Sequence, residues 1–302
     1  MSMSSTPAHL DFSAFDLMRP IMAADCLVYE GKQPASSFAM PSLLFVAGGY
    51  HGAWCYSHYL DFFEQHGVAC MAVDLPGHGA QAGHLDIGMG IAQLGQALAA
   101  CCRSLGRPLV LVGHSVGALP VLLAAMQTQP AGVALLAPSP PGNLPGARPL
   151  PAVPVDGFKP PPDATEVRRR FLGMECDAPV DTVMARLRPE SPAVLNDRYK
   201  LRIAIDPARI ACPGICFEAE FDDGERHPPG QDQAIARFLG FDYRLMPGQP
   251  HCMMYGPRWQ DSAHALLDWF LDTYGSPGTA TLPEYPGQRN AGTTTETETK
   301  HE

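Results

Sequence analysis

The 302-residue chain lacks any run of 18 consecutive apolar residues, which is the minimum that a transmembrane helix requires. Its first residues show no basic stretch followed by an apolar one, so the sequence predicts no secretory signal peptide. Basic residues are scarce, since 21 lysines and arginines face 31 aspartates and glutamates, for a formal net charge of −10. This acidic balance argues against a nucleic-acid partner. We therefore expect a cytoplasmic protein with no membrane span.

Cysteine is present, but in no pattern that indicates a metal site or a disulfide framework. The nine cysteines are odd in number, and most lie in apolar runs, as reduced core thiols of a cytosolic protein do. Cys212 and Cys216 are separated by three residues, yet no second pair at ligand spacing accompanies them. We therefore predict no metal and no other cofactor.

Short apolar runs alternate with stretches of helical spacing along most of the chain. Apolar runs of this length are typical of buried strands. Their alternation with helices predicts an α/β fold, with a mostly parallel sheet covered by helices on both faces. Strands are predicted at 25–29, 43–46, 68–73, 109–112, 133–137, 214–218 and 243–246, and helices at 56–65, 91–105, 118–126, 231–239 and 259–274.

A proline-rich stretch interrupts this alternation. Ten prolines between residues 138 and 162 exclude a helix or a central strand there. Two short helical candidates follow at 164–174 and 180–187, and an irregular stretch then runs to residue 206. We interpret this region as an inserted cap, with a long surface loop as the alternative. The predicted organisation is a lead-in at 1–24, a core at 25–138 and 207–275, a cap at 139–206 and a disordered tail at 276–302.

The strongest chemical signal is the segment Gly113-His114-Ser115-Val116-Gly117, which lies between a predicted strand and a predicted helix. This context is typical of a nucleophile elbow, where Ser115 stands exposed on a tight turn. Gly113 and Gly117 let the strand and the helix approach closely, and the Val116 N–H would face a developing oxyanion. A serine hydroxyl becomes a nucleophile only when a base takes its proton and an acid orients that base.

The base and the acid are expected in loops after later strands, because ligands bind at the carboxyl ends of parallel strands. His251 follows the strand predicted at 243–246 and is the predicted base. Asp222 follows an earlier strand and is the predicted acid, with the adjacent Asp223 as the alternative. His227 is set aside as the base, because it follows the acid too closely to lie in a separate loop.

The glycine-rich loop after residue 46 predicts the second oxyanion donor. Gly49 N–H is the first choice and Tyr50 N–H the alternative, because glycines let the backbone approach a substrate oxygen. A basic cluster, Arg168-Arg169-Arg170, stands in the predicted cap of this acidic chain. It either contacts an acidic substrate or forms a solvated helix face. Two interpretations also apply to six apolar residues of the cap, which either line a substrate pocket or pack on the core. These residues are Phe158, Phe171, Leu172, Met174, Met184 and Leu187.

These motifs resemble the α/β-hydrolase fold superfamily over about residues 25–275. The resemblance rests on Gly48-Gly49, Asp74-Leu75-Pro76-Gly77-His78-Gly79, the Ser115 segment, Asp222 and His251, in the order and rough spacing of that family. It implies an eight-stranded sheet, a cap after the sixth strand and a Ser115–His251–Asp222 triad. Ala47-Gly48-Gly49 is similar to stand-alone thioesterases, whereas His51-Gly52-Ala53-Trp54 is similar to the methylesterase and hydroxynitrile-lyase branch. The subfamily therefore stays open.

The predicted function is hydrolysis of a small-molecule carboxylic ester, lactone or thioester, free or carrier-bound, through an acyl-enzyme on Ser115. One alternative is a lyase on the same scaffold that cleaves a C–C bond or a cyanohydrin. Plant hydroxynitrile lyases of this type place a lysine in the pocket, and the few lysines here are Lys32, Lys159, Lys200 and Lys300. The other alternative is a slow-turnover ligand receptor.

Overall fold

The computed structural model describes residues 6–31, 40–173 and 179–275, and the tail predicted at 276–302 lies outside these ranges. One mixed sheet forms the centre of the molecule, in the strand order β1-β2-β4-β3-β5-β6-β7-β8. β1 pairs antiparallel with β2, and β2 pairs antiparallel with β4. The other neighbouring strands of the sheet pair parallel. The strands are β1 (Ile21–Ala23), β2 (Cys26–Glu30), β3 (Ser42–Val46), β4 (Cys70–Asp74), β5 (Leu109–His114), β6 (Gly132–Leu136), β7 (Gly214–Phe221) and β8 (Asp242–Pro250).

Helices cover both faces of this sheet. The helices are α1 (Ser13–Asp16), α2 (Ser57–Gln65), α3 (Ile91–Leu105), α4 (Ala118–Thr128), α5 (Ala164–Phe171), α6 (Asp181–Met184), α7 (Pro192–Tyr199), α8 (Gln231–Leu239) and α9 (Trp259–Tyr274). Side chains of α2 and α9 pack in one hydrophobic core, and side chains of α3, α4 and α8 pack in a second. The predicted eight-stranded α/β architecture is therefore confirmed.

The central strands are apolar at nearly every position because each of them faces both cores. In β3, Leu43 and Phe45 pack in the core that contains α2 and α9. Leu44 and Val46, which point the other way, pack in the core that contains α3 and α4. Alternate residues of a strand face opposite sides of a sheet, so a strand covered on both sides shows a continuous apolar run.

The chain between β6 and β7, residues 137–213, departs most from the sequence expectations, and it is called the insert below. It contains α5, which ends at Phe171 rather than at 174, and α6, which is a single turn within the predicted 180–187 helix. It also contains α7, where the sequence predicts an irregular stretch. The side chain of Ser191 caps α7 by accepting a hydrogen bond from Ala193 N–H, and Pro192 occupies its first turn.

β1 was not predicted, because only three residues form it and two of them are exposed. It lengthens the antiparallel edge of the sheet by pairing with β2. The eight cysteines that the structure describes are all unpaired, and only Cys212 among them is not fully buried. None of the helices within the described ranges combines the length and apolar character needed to cross a membrane.

Candidate active site

Ser115 stands on a tight turn between β5 and α4. Its φ is +52°, a left-handed conformation that is uncommon outside glycine and that marks a constrained backbone. A side chain at Gly113 would place its Cβ 2.8 Å from Ala118 Cα, and one at Gly117 would overlap the carbonyl oxygen of Ala47. The two glycines therefore allow the strand and the helix to approach as the sequence predicted.

The structure brings Ser115, His251 and Asp222 together from the ends of three strands. The Ser115 Oγ lies 3.0 Å from His251 Nε2, and His251 Nδ1 lies 2.7 Å from Asp222 Oδ2. A carboxylate oxygen accepts hydrogen bonds, so Nδ1 carries the proton and Nε2 is left as the acceptor for the serine hydroxyl. This is the arrangement in which an imidazole can take the proton of a serine.

Asp223, the alternative acid, contacts arginines instead of His251. Its Oδ2 accepts a hydrogen bond of 2.7 Å from Arg226 Nη1 and lies 3.7 Å from Arg170 Nε. Burial opposes ionisation of this carboxyl, but the hydrogen bond and charge of Arg226 hold its pKa below the ordinary value. Of the two adjacent aspartates, Asp222 is the one that is hydrogen-bonded to the imidazole.

Gly49 and Val116, which carry the two predicted donor N–H groups, line the same cavity as Ser115. A Cβ built on Gly49 would lie 3.5 Å from Val116 Cγ1, so the loop after β3 contacts the turn after β5. The Tyr50 N–H already donates to Glu190 Oε2 at 3.2 Å. The N–H groups of Gly49 and Val116 have no hydrogen-bond acceptor among the residues that the structure describes. The geometry therefore favours Gly49 over Tyr50 as the second donor.

His51 fixes the conformation of this loop, a role that no sequence motif predicts. Its Nδ1 donates to the Gly49 carbonyl oxygen at 2.8 Å, and its Nε2 accepts from the Tyr255 hydroxyl at 2.8 Å. Burial lowers the pKa of His51 to about 4, so the ring is neutral at physiological pH. Both nitrogens are satisfied, which holds the backbone at Gly49 in one orientation.

A buried ion pair connects the insert to the core next to this loop. Glu190 is fully buried, and its Oε2 accepts a hydrogen bond of 3.1 Å from His78 Nε2 as well as the one from Tyr50. Burial alone would lower the pKa of His78, but the charge and hydrogen bond of Glu190 raise it to about 9. Sequence reasoning missed Glu190, because one glutamate between two prolines in the insert carries no recognisable signal.

Two further histidines surround His251. His114 Nε2 donates to the carbonyl oxygen of His251 at 3.0 Å and so positions its backbone. The ring of His227 lies 4.5 Å from the ring of His251, centroid to centroid, although the sequence analysis had set His227 aside. Asp222, His227 and His251 offer ligand atoms within 4.8 Å of one another, which is a possible metal grouping. In the structure, however, Asp222 Oδ2 and His251 Nδ1 are hydrogen-bonded to each other, and His251 Nε2 contacts Ser115 Oγ.

A cavity of about 60 Å³ lies directly beside Ser115. The apolar part of its wall includes Phe171, Leu150 and Leu195, all from the insert, and three arginines form a polar part. Of the predicted pocket residues, only Phe171 lines this cavity; Phe158 is 46% exposed, and Met174 lies outside the described residues. Ligand pockets usually measure about 300–1,000 Å³. A substrate must therefore be small or must displace side chains of the insert.

A family model described as the alpha/beta hydrolase family matches residues 43–288. The chain belongs to this family. No curated protein matches the sequence of this α/β hydrolase. Its strand order, the turn at Ser115 and the contact between Ser115 and His251 are consistent with this family.

Solved structures of similar fold include proteins with several activities. The α/β hydrolase is similar to tomato methylketone synthase I in complex with 2-tridecanone, at 17% identity and a TM-score of 0.62, covering 78% of this chain and all of the other. A methylesterase from Arabidopsis is 19% identical, with a TM-score of 0.60, and the match covers 76% of this chain and 98% of the other. An N-acyl homoserine lactonase bound to N-hexanoyl homoserine is 14% identical, with a TM-score of 0.65, and the match covers 86% of this chain and 98% of the other. Identities this low show a shared fold alone.

Proposed function

We propose that this α/β hydrolase is a serine hydrolase that cleaves a carboxylic ester, a thioester or a lactone through an acyl-enzyme on Ser115. The observation that carries this proposal is the chain of contacts from Ser115 Oγ to His251 Nε2 at 3.0 Å and from His251 Nδ1 to Asp222 at 2.7 Å. Such a chain supplies the nucleophile, the base and the orienting acid that acyl transfer requires.

In the acylation step, His251 Nε2 accepts the Ser115 proton while the serine oxygen bonds to the acyl carbon. The carbonyl π electrons move onto the carbonyl oxygen, which the N–H groups of Gly49 and Val116 would stabilise by two hydrogen bonds. Loss of one such donor typically costs about 2.7–4 kcal/mol of the activation barrier. Asp222 accepts the Nδ1–H throughout and stabilises the imidazolium that forms.

The tetrahedral intermediate then collapses. The bond to the leaving alcohol or thiol breaks, and His251 returns its proton to that group. A water molecule next gives a proton to His251 and attacks the acyl carbon of the Ser115 ester. Collapse of the second intermediate releases the carboxylic acid and restores the serine hydroxyl, so the cycle consumes one water and needs no cofactor.

The lysines that the structure describes do not support the lyase alternative. Lys200 is exposed at the end of α7, and Lys159 pairs with Asp156 at 2.9 Å. No described lysine lines the cavity beside Ser115. The receptor alternative is likewise disfavoured, since the Ser115–His251 and His251–Asp222 contacts are both present.

The proposal is tested with the variant Ser115→Ala on 4-nitrophenyl esters of increasing chain length and on acyl thioesters. We expect hydrolysis to fall by about four to six orders of magnitude, because the nucleophile is removed. A fluorophosphonate should label the wild-type protein at Ser115 and leave the variant unlabelled. Ser139→Ala is the matched control, because the ring nitrogens of His251 bond to Asp222 and Ser115 and not to this second serine of the cavity wall, so labelling should persist. Hydrolysis by Ser115→Ala at a rate near wild type would refute the proposal.

A further inference from the structure

An arginine that forms no ion pair with any described residue lies in the wall of the cavity that contains Ser115. Arg198, on α7, is only 4% exposed and lines the cavity together with Arg170 and Arg226. Its Nη2 donates to the carbonyl oxygen of Arg226 at 2.8 Å. Its Nη1 is buried and has no hydrogen-bond partner among the described residues. One nitrogen of this guanidinium is thus left without an acceptor in the part of the chain that the structure describes.

No acid of the site neutralises Arg198. Asp223 forms ion pairs with Arg226 and Arg170, and Asp222 accepts a hydrogen bond from His251. Within the described ranges, no carboxylate oxygen lies within 4.0 Å of the Arg198 guanidinium.

Arg198 keeps its charge although it is buried. Burial lowers the pKa of Arg198 to about 10, which keeps it protonated at neutral pH. Asp232, whose charge would act on Arg198 from a distance, is itself buried, and burial raises its pKa well above the ordinary value, which favours its neutral form. Among the described residues, Arg198 is thus a charged group without a carboxylate partner in the wall of the cavity that contains Ser115.

We infer that the substrate carries a free carboxylate, and that Arg198 binds this carboxylate while Ser115 attacks the ester or thioester carbonyl. This inference rests on the proposed function and names the class of substrate. A guanidinium N–H without an acceptor, as at Arg198 Nη1, is a charged donor that suits a carboxylate oxygen. The carboxylate belongs either to the acyl group, as in a monoester of a dicarboxylic acid, or to the leaving group.

The cavity wall suits such a substrate. Leu195 lies on the same helix as Arg198, and Phe171 follows Arg170 directly, so apolar and cationic groups stand side by side. A short methylene chain would pack on the apolar side chains while its charged end reaches the guanidinium. A neutral substrate of the same length would leave Arg198 buried and unpaired, so the wild-type protein should discriminate against it.

The experiment compares kcat/KM for carboxylates and for their neutral primary amides, which have nearly the same shape. The acyl arm uses the 4-nitrophenyl monoesters of glutarate and adipate against the corresponding monoamide esters. The leaving-group arm uses 4-carboxyphenyl acetate against 4-carbamoylphenyl acetate. We expect the wild-type protein to prefer the carboxylate at least tenfold in one arm, and that arm identifies the side of the scissile bond that carries the charge.

Arg198→Met should lower this preference at least tenfold, mainly through KM. Arg202→Met is the matched control, because Arg202 is a nearby arginine, 52% exposed, that pairs with Asp197 at the surface. The preference of Arg202→Met for the carboxylate over the amide should stay within twofold of that of the wild-type protein. If Arg198→Met fails to fold, Arg198→Lys and the wild-type ratios decide. A wild-type ratio of one or less in both arms would overturn the inference, as would a preference that survives loss of the Arg198 guanidinium.

The two proposals fail in different ways. If amide and carboxylate substrates are hydrolysed equally and Ser115→Ala is inactive, the serine mechanism stands and the carboxylate inference falls. Calorimetric titration of the carboxylate ester that the wild-type protein prefers in that comparison into Ser115→Ala measures carboxylate binding without turnover. We expect saturable binding that Arg198→Met in the same background removes, and no heat of binding in either protein would contradict the inference.

Discussion

The buried pair of His78 and Glu190 predicts a dependence of stability on pH that one substitution removes. Glu190 raises the pKa of His78 from 6.5 to about 9 in the folded protein. The stabilisation by His78 is therefore complete below pH 6.5 and is lost as the pH rises through 9. Burial alone would raise the pKa of Glu190, but the charge of His78 holds it below 4.5. The contribution of Glu190 is thus present above pH 4.5 and is lost as the pH falls through its folded value.

The size of the effect follows from the shift. One pKa unit corresponds to about 1.4 kcal/mol, so a rise from 6.5 to about 9 contributes about 3 kcal/mol to the free energy of unfolding. Glu190→Gln leaves His78 buried without an anion, and loss of one partner of a buried pair costs about 3–5 kcal/mol. We expect the variant to be less stable by about 3 kcal/mol at pH 6. By pH 9 the difference should shrink to roughly 1 kcal/mol or less, because wild-type His78 is then losing its proton.

Urea unfolding at pH 6, 7.5 and 9, followed by tryptophan fluorescence, measures this difference. Glu166→Gln is the control, because it breaks an exposed pair with Arg169 and should change stability by less than about 1 kcal/mol without a trend in pH. Curves of unfolding free energy against pH that run parallel for wild type and Glu190→Gln between pH 6 and 9 would refute the reasoning.

Two further substitutions test the geometry of the site. Asp222→Asn should lower kcat by about 10⁴-fold, since the imidazole loses its orienting carboxylate, whereas Asp223→Asn should lower kcat less than tenfold. Steady-state assays measure both values. A larger loss in Asp223→Asn than in Asp222→Asn would contradict the assignment of Asp222 as the acid. Gly48→Ala places a methyl group 2.9 Å from Ser115 Cβ and should reduce kcat/KM at least tenfold, with circular dichroism to verify the fold. Gly83→Ala, whose methyl group meets nothing within 4 Å, should keep its activity, and an equally active Gly48→Ala would disprove the steric argument.

The sheet was predictable because burial on both faces leaves a continuous apolar run in each central strand. The predicted strands at 43–46 and 109–112 lie within β3 and β5. β1 was missed because a three-residue edge strand has neither an apolar run nor alternation. α7 was missed although Ser191 and Pro192 form a recognisable helix start, because the preceding prolines favoured an irregular interpretation of the whole region.

The alternatives within the site depended on contacts between residues far apart in sequence. Asp222 and Asp223 follow the same strand, and only the direction of each side chain separates the one that reaches His251 from the one that reaches Arg226. The choice between Gly49 and Tyr50 depends on Glu190, which lies 140 residues after Tyr50. No local pattern encodes contacts of that kind.

The insert supplies Glu190 to the loop beside the serine and Arg198 to the cavity wall, so it is structural support as well as a cover. A chimera that exchanges this segment for that of another α/β hydrolase would remove both groups at once. Engineering of substrate range by such exchange would therefore succeed only with donors that provide an acid for His78, and single substitutions along α7 are the safer route to new specificity.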